Sequence, residues 1–178
     1  SLYGLTRDEE WLRGHLPLLK ECSEWALTQR RRTMELEIGQ KPLHWGLLPK
    51  WAYGGDILDV PCYPIYPNLC CWRGLVDTAW ALDKAGDKET ARRYRAEARD
   101  YRVDINRAVE GSYRREQKPP FLALKLYGTE PDEQLDYYQL FAGCLLDIEA
   151  FEPGNQHARW ITDYLEDSNR MFCHLPRF

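Results

Sequence analysis

Leu69-Cys70-Cys71-Trp72-Arg73-Gly74-Leu75-Val76-Asp77-Thr78-Ala79-Trp80-Ala81-Leu82-Asp83-Lys84-Ala85-Gly86-Asp87 is the stretch on which the fold turns. Its apolar side chains recur at nearly every angle around a helix, which predicts a helix from about Leu69 to Ala85 buried on most sides. Gly86 supplies the turn. The next helix, about Asp87 to Glu110, is of another kind: Ala91, Tyr94, Ala98, Tyr101, Ile105 and Ala108 make one narrow apolar stripe, and most of the rest is Arg and acid. A buried helix thus leads through a short turn into a half-exposed one, and so short a connection makes the two antiparallel.

The same pairing recurs downstream. Residues from about Glu133 to Ala150 are apolar on most sides (Leu135, Tyr138, Leu140, Phe141, Cys144, Leu145), whereas about Asn155 to Asp167 carry Ala158, Trp160, Ile161, Tyr164 and Leu165 on one side. Upstream, a helix beginning near Thr6 places Trp11, Leu12, His15, Leu16, Leu19, Cys22, Trp25, Ala26 and Gln29 at three- and four-residue steps, read as one buried face. Thr6 is its expected cap, and Arg30, Arg31 and Arg32 suit its C-terminal end. Pro17 is expected to kink or restart it.

Two long irregular segments interrupt the helices. Gly39 to Asn68 is 30 residues with five prolines and four glycines, read as a loop without strands, and Gly111 to Asp132 is a second loop. With antiparallel neighbours, both loops and the tail after Asp167 fall at one end of the bundle. Loops this long in a compact domain are usually functional or disordered, and these are rich in Trp, Tyr and Pro. The fold class expected is all-α: antiparallel helical hairpins, long loops at one rim, in a single helical domain over residues 1–178.

Composition narrows the chemistry. The 178 residues carry 24 Lys plus Arg against 28 Asp plus Glu, a net charge of −4, which offers a nucleic-acid backbone no general attraction. No window approaches the roughly 18 apolar residues of a membrane span, so no membrane partner is expected. The six cysteines form no C-x-x-C pair and read as reduced, mostly buried thiols. The four histidines lack ligand spacing, so no metal is expected. No phosphate-cradling glycine loop, nicotinamide fingerprint or G-x-S-x-G is present, and no cofactor is expected.

What the first loop does hold is His44, Trp45, Trp51, Tyr53, Asp56, Asp59, Tyr63, Tyr66 and Asn68 within 25 residues. Flat rings cover the C–H faces of sugars while carboxylates and amides bond their hydroxyls, so carbohydrate is the expected ligand. Trp45, Trp51, Tyr53, Tyr63 and Tyr66 are candidate subsite walls; Asp59, Asn68 and, from the second loop, Glu130 are candidate polar contacts. Any one of these rings can equally be packing the loop onto the bundle. Tyr53-Gly54-Gly55-Asp56 sets an acid on a tight turn. It reads either as a turn whose Asp56 caps backbone amides or as a catalytic acid whose pKa Trp51 and Tyr53 raise. Paired-carboxylate glycoside hydrolysis is the reaction that the residue types leave standing.

The run Leu5-Thr6-Arg7-Asp8-Glu9-Glu10-Trp11-Leu12 with His15-Leu16-Pro17 and Trp25 resembles the opening of a hairpin in the six-hairpin glycosidases, whose fold is an (alpha/alpha)6 toroid. Gly46-Leu47-Leu48-Pro49, Gly54-Gly55-Asp56, Asn68 with Trp72-Arg73-Gly74-Leu75, and Ala85-Gly86-Asp87 are similar to their loop-plus-helix unit. The resemblance implies part of a toroid, a glycoside hydrolase acting usually with inversion, and Asp56 as acid or sugar-gripping carboxylate, with Asn68 a weaker binding position. Arg7 stands where that pattern commonly has Gly. About half a toroid is present, so the remaining part of it, or another copy, is the expected partner for uncovered apolar helix faces. The alternative is a non-catalytic helical module that binds carbohydrate or protein.

Overall fold

A computed structural model describes residues 6–52, 61–118, 120–123, 125–127, 150–152, 154–167, 171–172 and 175–176. It is mostly helical. Among the described residues the helices are α1 (Glu9–Arg31), α2 (Ile65–Lys84), α3 (Lys88–Ser112) and α4 (Gln156–Asp167). The expected helix over about 133–150 lies outside the described residues except for Ala150, which is buried.

α1 is capped by Asp8, whose Oδ1 accepts from Trp11 N at 2.9 Å, and not by Thr6, whose hydroxyl oxygen accepts from Asp8 N at 3.3 Å. Glu9 and Glu10 occupy its first turn and Arg30 and Arg31 its last, matching the helix dipole. The helix passes through Pro17 without restarting. Pro17 and Arg13, whose carbonyl loses its bond there, are both exposed, so water replaces the missing donor.

The single buried face expected of α1 is two interleaved stripes. Leu12, Ser23, Ala26, Leu27 and Arg30 turn inward, while His15, Leu18, Cys22 and Trp25 turn outward, Leu18 58% and Trp25 57% exposed. Steps of three and four generate both stripes, and the expected set was wider than one neighbouring helix can cover. Cys22 is therefore an exposed thiol, whereas Cys62 is buried and Cys70 and Cys71 half-buried, and none of the four is in a disulfide.

α2 starts a turn earlier than Leu69. Pro64 is its N-cap and Pro67 sits in its first turn, where a helix has no acceptor for the amide hydrogen that proline lacks. The prolines that suggested loop thus begin the helix. Gly86, at φ +93°, closes it, and Asp87 N reaches back to Leu82 O at 2.9 Å. Asp87 then caps α3 by accepting from Thr90 N at 3.1 Å. The stripe from Ala91 to Ala108 is buried throughout.

Side-chain pairs fix the helix directions. Lys20 meets Asp87, Glu24 meets Arg93, and Arg30 meets Asp104, in the same order along both chains, so α1 and α3 run parallel. Asn68 meets Tyr101, Trp72 lies under Arg102, and Asp83 meets Arg95, so α2 runs against α3. α4 lies against the C-terminal end of α3 and the segment after it, where Trp160 stacks on Tyr113 at 3.7 Å and Tyr164 meets Phe121 at 5.2 Å.

The loops contain short strands, contrary to expectation. β1 (Trp51–Ala52), β2 (Pro61–Pro64) and β5 (Lys125–Leu126) form a three-stranded antiparallel sheet, with Trp51 opposite Cys62 and Tyr63 opposite Leu126. β3 (Tyr113–Arg114) pairs with β4 (Phe121–Leu122), and β6 (Met171–Phe172) with β7 (Leu175–Pro176). Strands of two to four residues are too short to display an alternating pattern.

The larger core lies at this loop-bearing end. Leu47, Tyr63, Phe121, Leu122 and Leu126 from the loops pack there with Leu69, Tyr101, Ile105 and Ile161 from the helices. A second cluster of Leu27, Leu75, Leu82, Tyr94 and Ala98 fills the opposite half.

Candidate functional site

The pairing of β2 with β5 brings the two long loops together at one end of the bundle. What holds that end in place is a series of polar side chains gripping four consecutive residues of the first loop. Arg107 Nη2 donates to Trp45 O at 2.9 Å, and Arg30 Nε donates to Gly46 O at 3.2 Å. The Thr33 hydroxyl donates to Leu47 O at 2.6 Å, and Leu48 N donates to Asn68 Oδ1 at 2.8 Å. One grip comes from each of α1, α2 and α3, and the fourth from Thr33 just past α1. Unpaired backbone groups in a buried segment would be costly, so the clamp fixes the loop as well as satisfying it.

Gly46 is required at its position. Its φ is +70°, and a Cβ there would come 2.3 Å from Asp104 Oδ2. That carboxylate is itself immobilised: Oδ2 accepts from Arg30 Nη2 at 2.7 Å and Oδ1 faces Arg107 at 3.2 Å. The Arg30 guanidinium also lies 4.6 Å from the Tyr101 ring centre.

Beside this clamped backbone three rings meet. His44 stacks on Tyr63 with centres 4.5 Å apart and planes 17° from parallel, and the Tyr127 ring stands nearly perpendicular to both, its centre 5.7 Å from that of His44 and 6.0 Å from that of Tyr63. Tyr127 holds a left-handed φ of +60°, a conformation that costs energy for a side chain of its size. Burial lowers the pKa of His44; Glu37, whose carboxylate is 3.7 Å from Nε2, opposes this, and the Lys50 and Arg107 charges add to it. Its imidazole is therefore neutral at neutral pH, able to accept at one nitrogen and donate at the other. Burial raises the pKa of Tyr63. Lys50 Nζ lies 5.7 Å from the Tyr63 ring centre and Lys41 Nζ 4.9 Å from that of Trp45.

The expected site residues divide accordingly. Tyr63, expected as a subsite wall, is buried in the loop-end core with His44 stacked on it; Trp45 is half-buried with a lysine on its face. Tyr66 is half-buried against the core. Asn68, expected to bond a sugar hydroxyl, is fully buried, and its amide is used internally: Oδ1 accepts from Leu48 N and from the Tyr101 hydroxyl at 2.7 Å, and Nδ2 donates to Pro64 O at 2.6 Å. Its role is to join the loop to α2 and α3. The backbone of Trp51 is in β1, while its side chain and the whole of Tyr53, Asp56, Asp59 and Glu130 lie outside the described residues.

His44 and Tyr127 enter through geometry, because they come from different loops and only strand pairing makes them neighbours. Among the described residues no cluster of His, Cys, Asp or Glu suits a metal ion, and no helix is long and apolar enough to cross a membrane. No family model, curated protein or solved structure matches the chain.

Proposed function

We propose that this chain is a carbohydrate-active domain of glycoside hydrolase type, forming part of an (alpha/alpha)6 toroid whose mouth is the rim of loops. The observation that carries this reading is the convergence of both loops through β2 and β5, which gathers His44, Tyr63 and Tyr127 beside the clamped residues 45–48. The neutral imidazole of His44 and the exposed phenol of Tyr127 offer a sugar hydrogen-bonding partners and ring surface, with the buried Tyr63 as the support on which His44 stacks.

Asp56 is the proposed acid, delivered by the segment that joins β1 to β2. It protonates the leaving oxygen while a second carboxylate activates water, which for inversion requires the two acids about 6.5 to 9.5 Å apart. Asp59, Glu130, Trp51 and Tyr53 are proposed to line the same mouth. In this scheme Asn68 acts on the sugar only indirectly, by holding the loop.

The outward stripe of α1, with Leu18 and Trp25 more than half exposed, favours a second reading: a non-catalytic module that uses helix faces to bind protein and its rim to bind sugar. Turnover separates the two. Hydrolysis of a panel of aryl glycosides and oligosaccharides, abolished by Asp56→Asn with sugar binding retained, supports the enzyme. Binding without any turnover supports the module. Turnover that survives Asp56→Asn removes that residue from the acid's role, and sugar binding unchanged by His44→Ala and Tyr127→Ala removes the rim.

A further inference from the structure

Away from the rim, α2 and α3 enclose a groove of about 510 Å3. Trp72 and Trp80, two turns apart on α2, form one wall; Arg95, Arg99 and Arg102, spaced four and three residues apart on α3, form the other; Ala98 lies between. We infer that this groove receives an acidic amphipathic helix of a partner protein, its apolar side chains between the two tryptophans and its carboxylates against the arginines.

Charge complementarity carries the inference. Arg95 is paired with Asp83 at 3.0 Å, but among the described residues no acid lies in ion-pair range of Arg99 or Arg102. The Arg102 guanidinium lies 4.5 Å from the Trp72 ring centre and 5.4 Å from that of Phe151, with Nη1 buried and lacking an acceptor. Burial lowers its pKa, and the Glu152 charge opposes this. A cation partly withdrawn from water and short of acceptors is stabilised by an incoming carboxylate more than a solvated one is.

The shape and the donor set select the occupant. The arginines span two helical turns, about 10 Å, which matches acids at i, i+4 and i+7 of an opposing helix. A saccharide needs acceptors as well as donors for its hydroxyls. The groove's polar groups are guanidinium donors, and Asp83 beside it is already held by Arg95 and Lys88. A nucleic-acid strand needs a longer basic track, whereas this one is two turns long on a chain of net charge −4.

The test uses the whole chain and a fluorescein-labelled helical peptide of about 14 residues, which spans about 21 Å. Leucines occupy one face and glutamates flank it; a twin peptide has lysine at every glutamate. Anisotropy titrations are expected to show binding of the acidic peptide alone, weakened at least about tenfold by the double reversal Arg99→Glu with Arg102→Glu, which in turn admits the lysine peptide. Arg99→Glu alone, at an exposed position that leaves folding intact, is expected to weaken binding in the same direction. Equal binding of both peptides, no binding of the acidic one, or indifference to Arg99→Glu overturns the proposal. So does tighter, Arg99-dependent binding of single-stranded oligouridylate or polygalacturonate, and so does Arg99-dependent self-association in sedimentation, which assigns the groove to a second copy.

Discussion

Arg30 and Asp104 form an ion pair of 2.7 Å with both side chains buried, 3% and 8% exposed. The pair joins α1 to α3 and, through the second contact of Arg30 with Gly46 O, ties the first loop to both. Each side chain keeps a second charged partner when the other is removed, Asp104 with Arg107 and Arg30 with Glu97, so Arg30→Ala or Asp104→Ala is expected to cost about 1–3 kcal/mol. Replacing both by Met and Leu is expected to cost far less. Urea unfolding of the three variants measures the difference, and near-equal losses would contradict a buried pair.

Gly46→Ala is expected to lose at least about 1–3 kcal/mol, since the substitution combines a left-handed backbone with a collision against a carboxylate that cannot move aside. Gly111→Ala is the contrasting case. Its Cβ would approach Leu43 at 2.7 Å, but it meets only the ends of that side chain, which can rotate. Thermal melts should rank Gly46→Ala well below Gly111→Ala.

Asn68→Ala is expected to cost about 3 kcal/mol by leaving the Leu48 amide and the Tyr101 hydroxyl without their acceptor. If the residue instead served a sugar at the surface, the change would spare stability and lower affinity. Denaturant unfolding and sugar titration of one variant decide between these outcomes.

Acid stability carries the signature of Asp87. Hydrogen bonds from Lys20 and then Thr90 hold its carboxyl down to about 2, against an ordinary 3.8. The unfolded chain takes up that proton first as the pH falls, so the stabilisation is present above about 4 and is lost between about 4 and 2. Asp87→Asn keeps the cap and removes the charge. Its melting temperature should lie below that of the unchanged protein at neutral pH and converge with it near pH 2.

The thiols should react in an order set by burial. Cys22 is exposed, while burial pushes the Cys71 thiol up to about 11 and raises that of Cys62 as well. Alkylation at neutral pH, mapped by mass spectrometry, should modify Cys22 first and reach Cys62 and Cys71 only on unfolding. Early labelling at Cys71 would contradict the packing of α2.

The helices were legible where one periodicity acted alone. The α3 stripe from Ala91 to Ala108, the Gly86-Asp87 turn and the stripe of α4 through Trp160 and Tyr164 each have a single face and a clear boundary. α1 was misread because two stripes at the same spacing share it, and only contact with α2 and α3 decides which one is buried. Of the site, the gathering of rings in the first loop was visible, but the His44–Tyr63–Tyr127 cluster was not, because it depends on a pairing between β2 and β5 that leaves no local trace. Asn68 misled for a related reason: an amide near an aromatic loop looks the same in sequence whether it faces a ligand or three buried backbone and hydroxyl groups.

The register that sets Tyr63 opposite Leu126 has a consequence for how the chain is made. Those two residues are separated by the entire α2–α3 hairpin, so the mouth closes through a contact of high sequence separation, after helical contacts between near neighbours have formed. During synthesis the hairpin can fold while the first loop still waits for its mate to emerge.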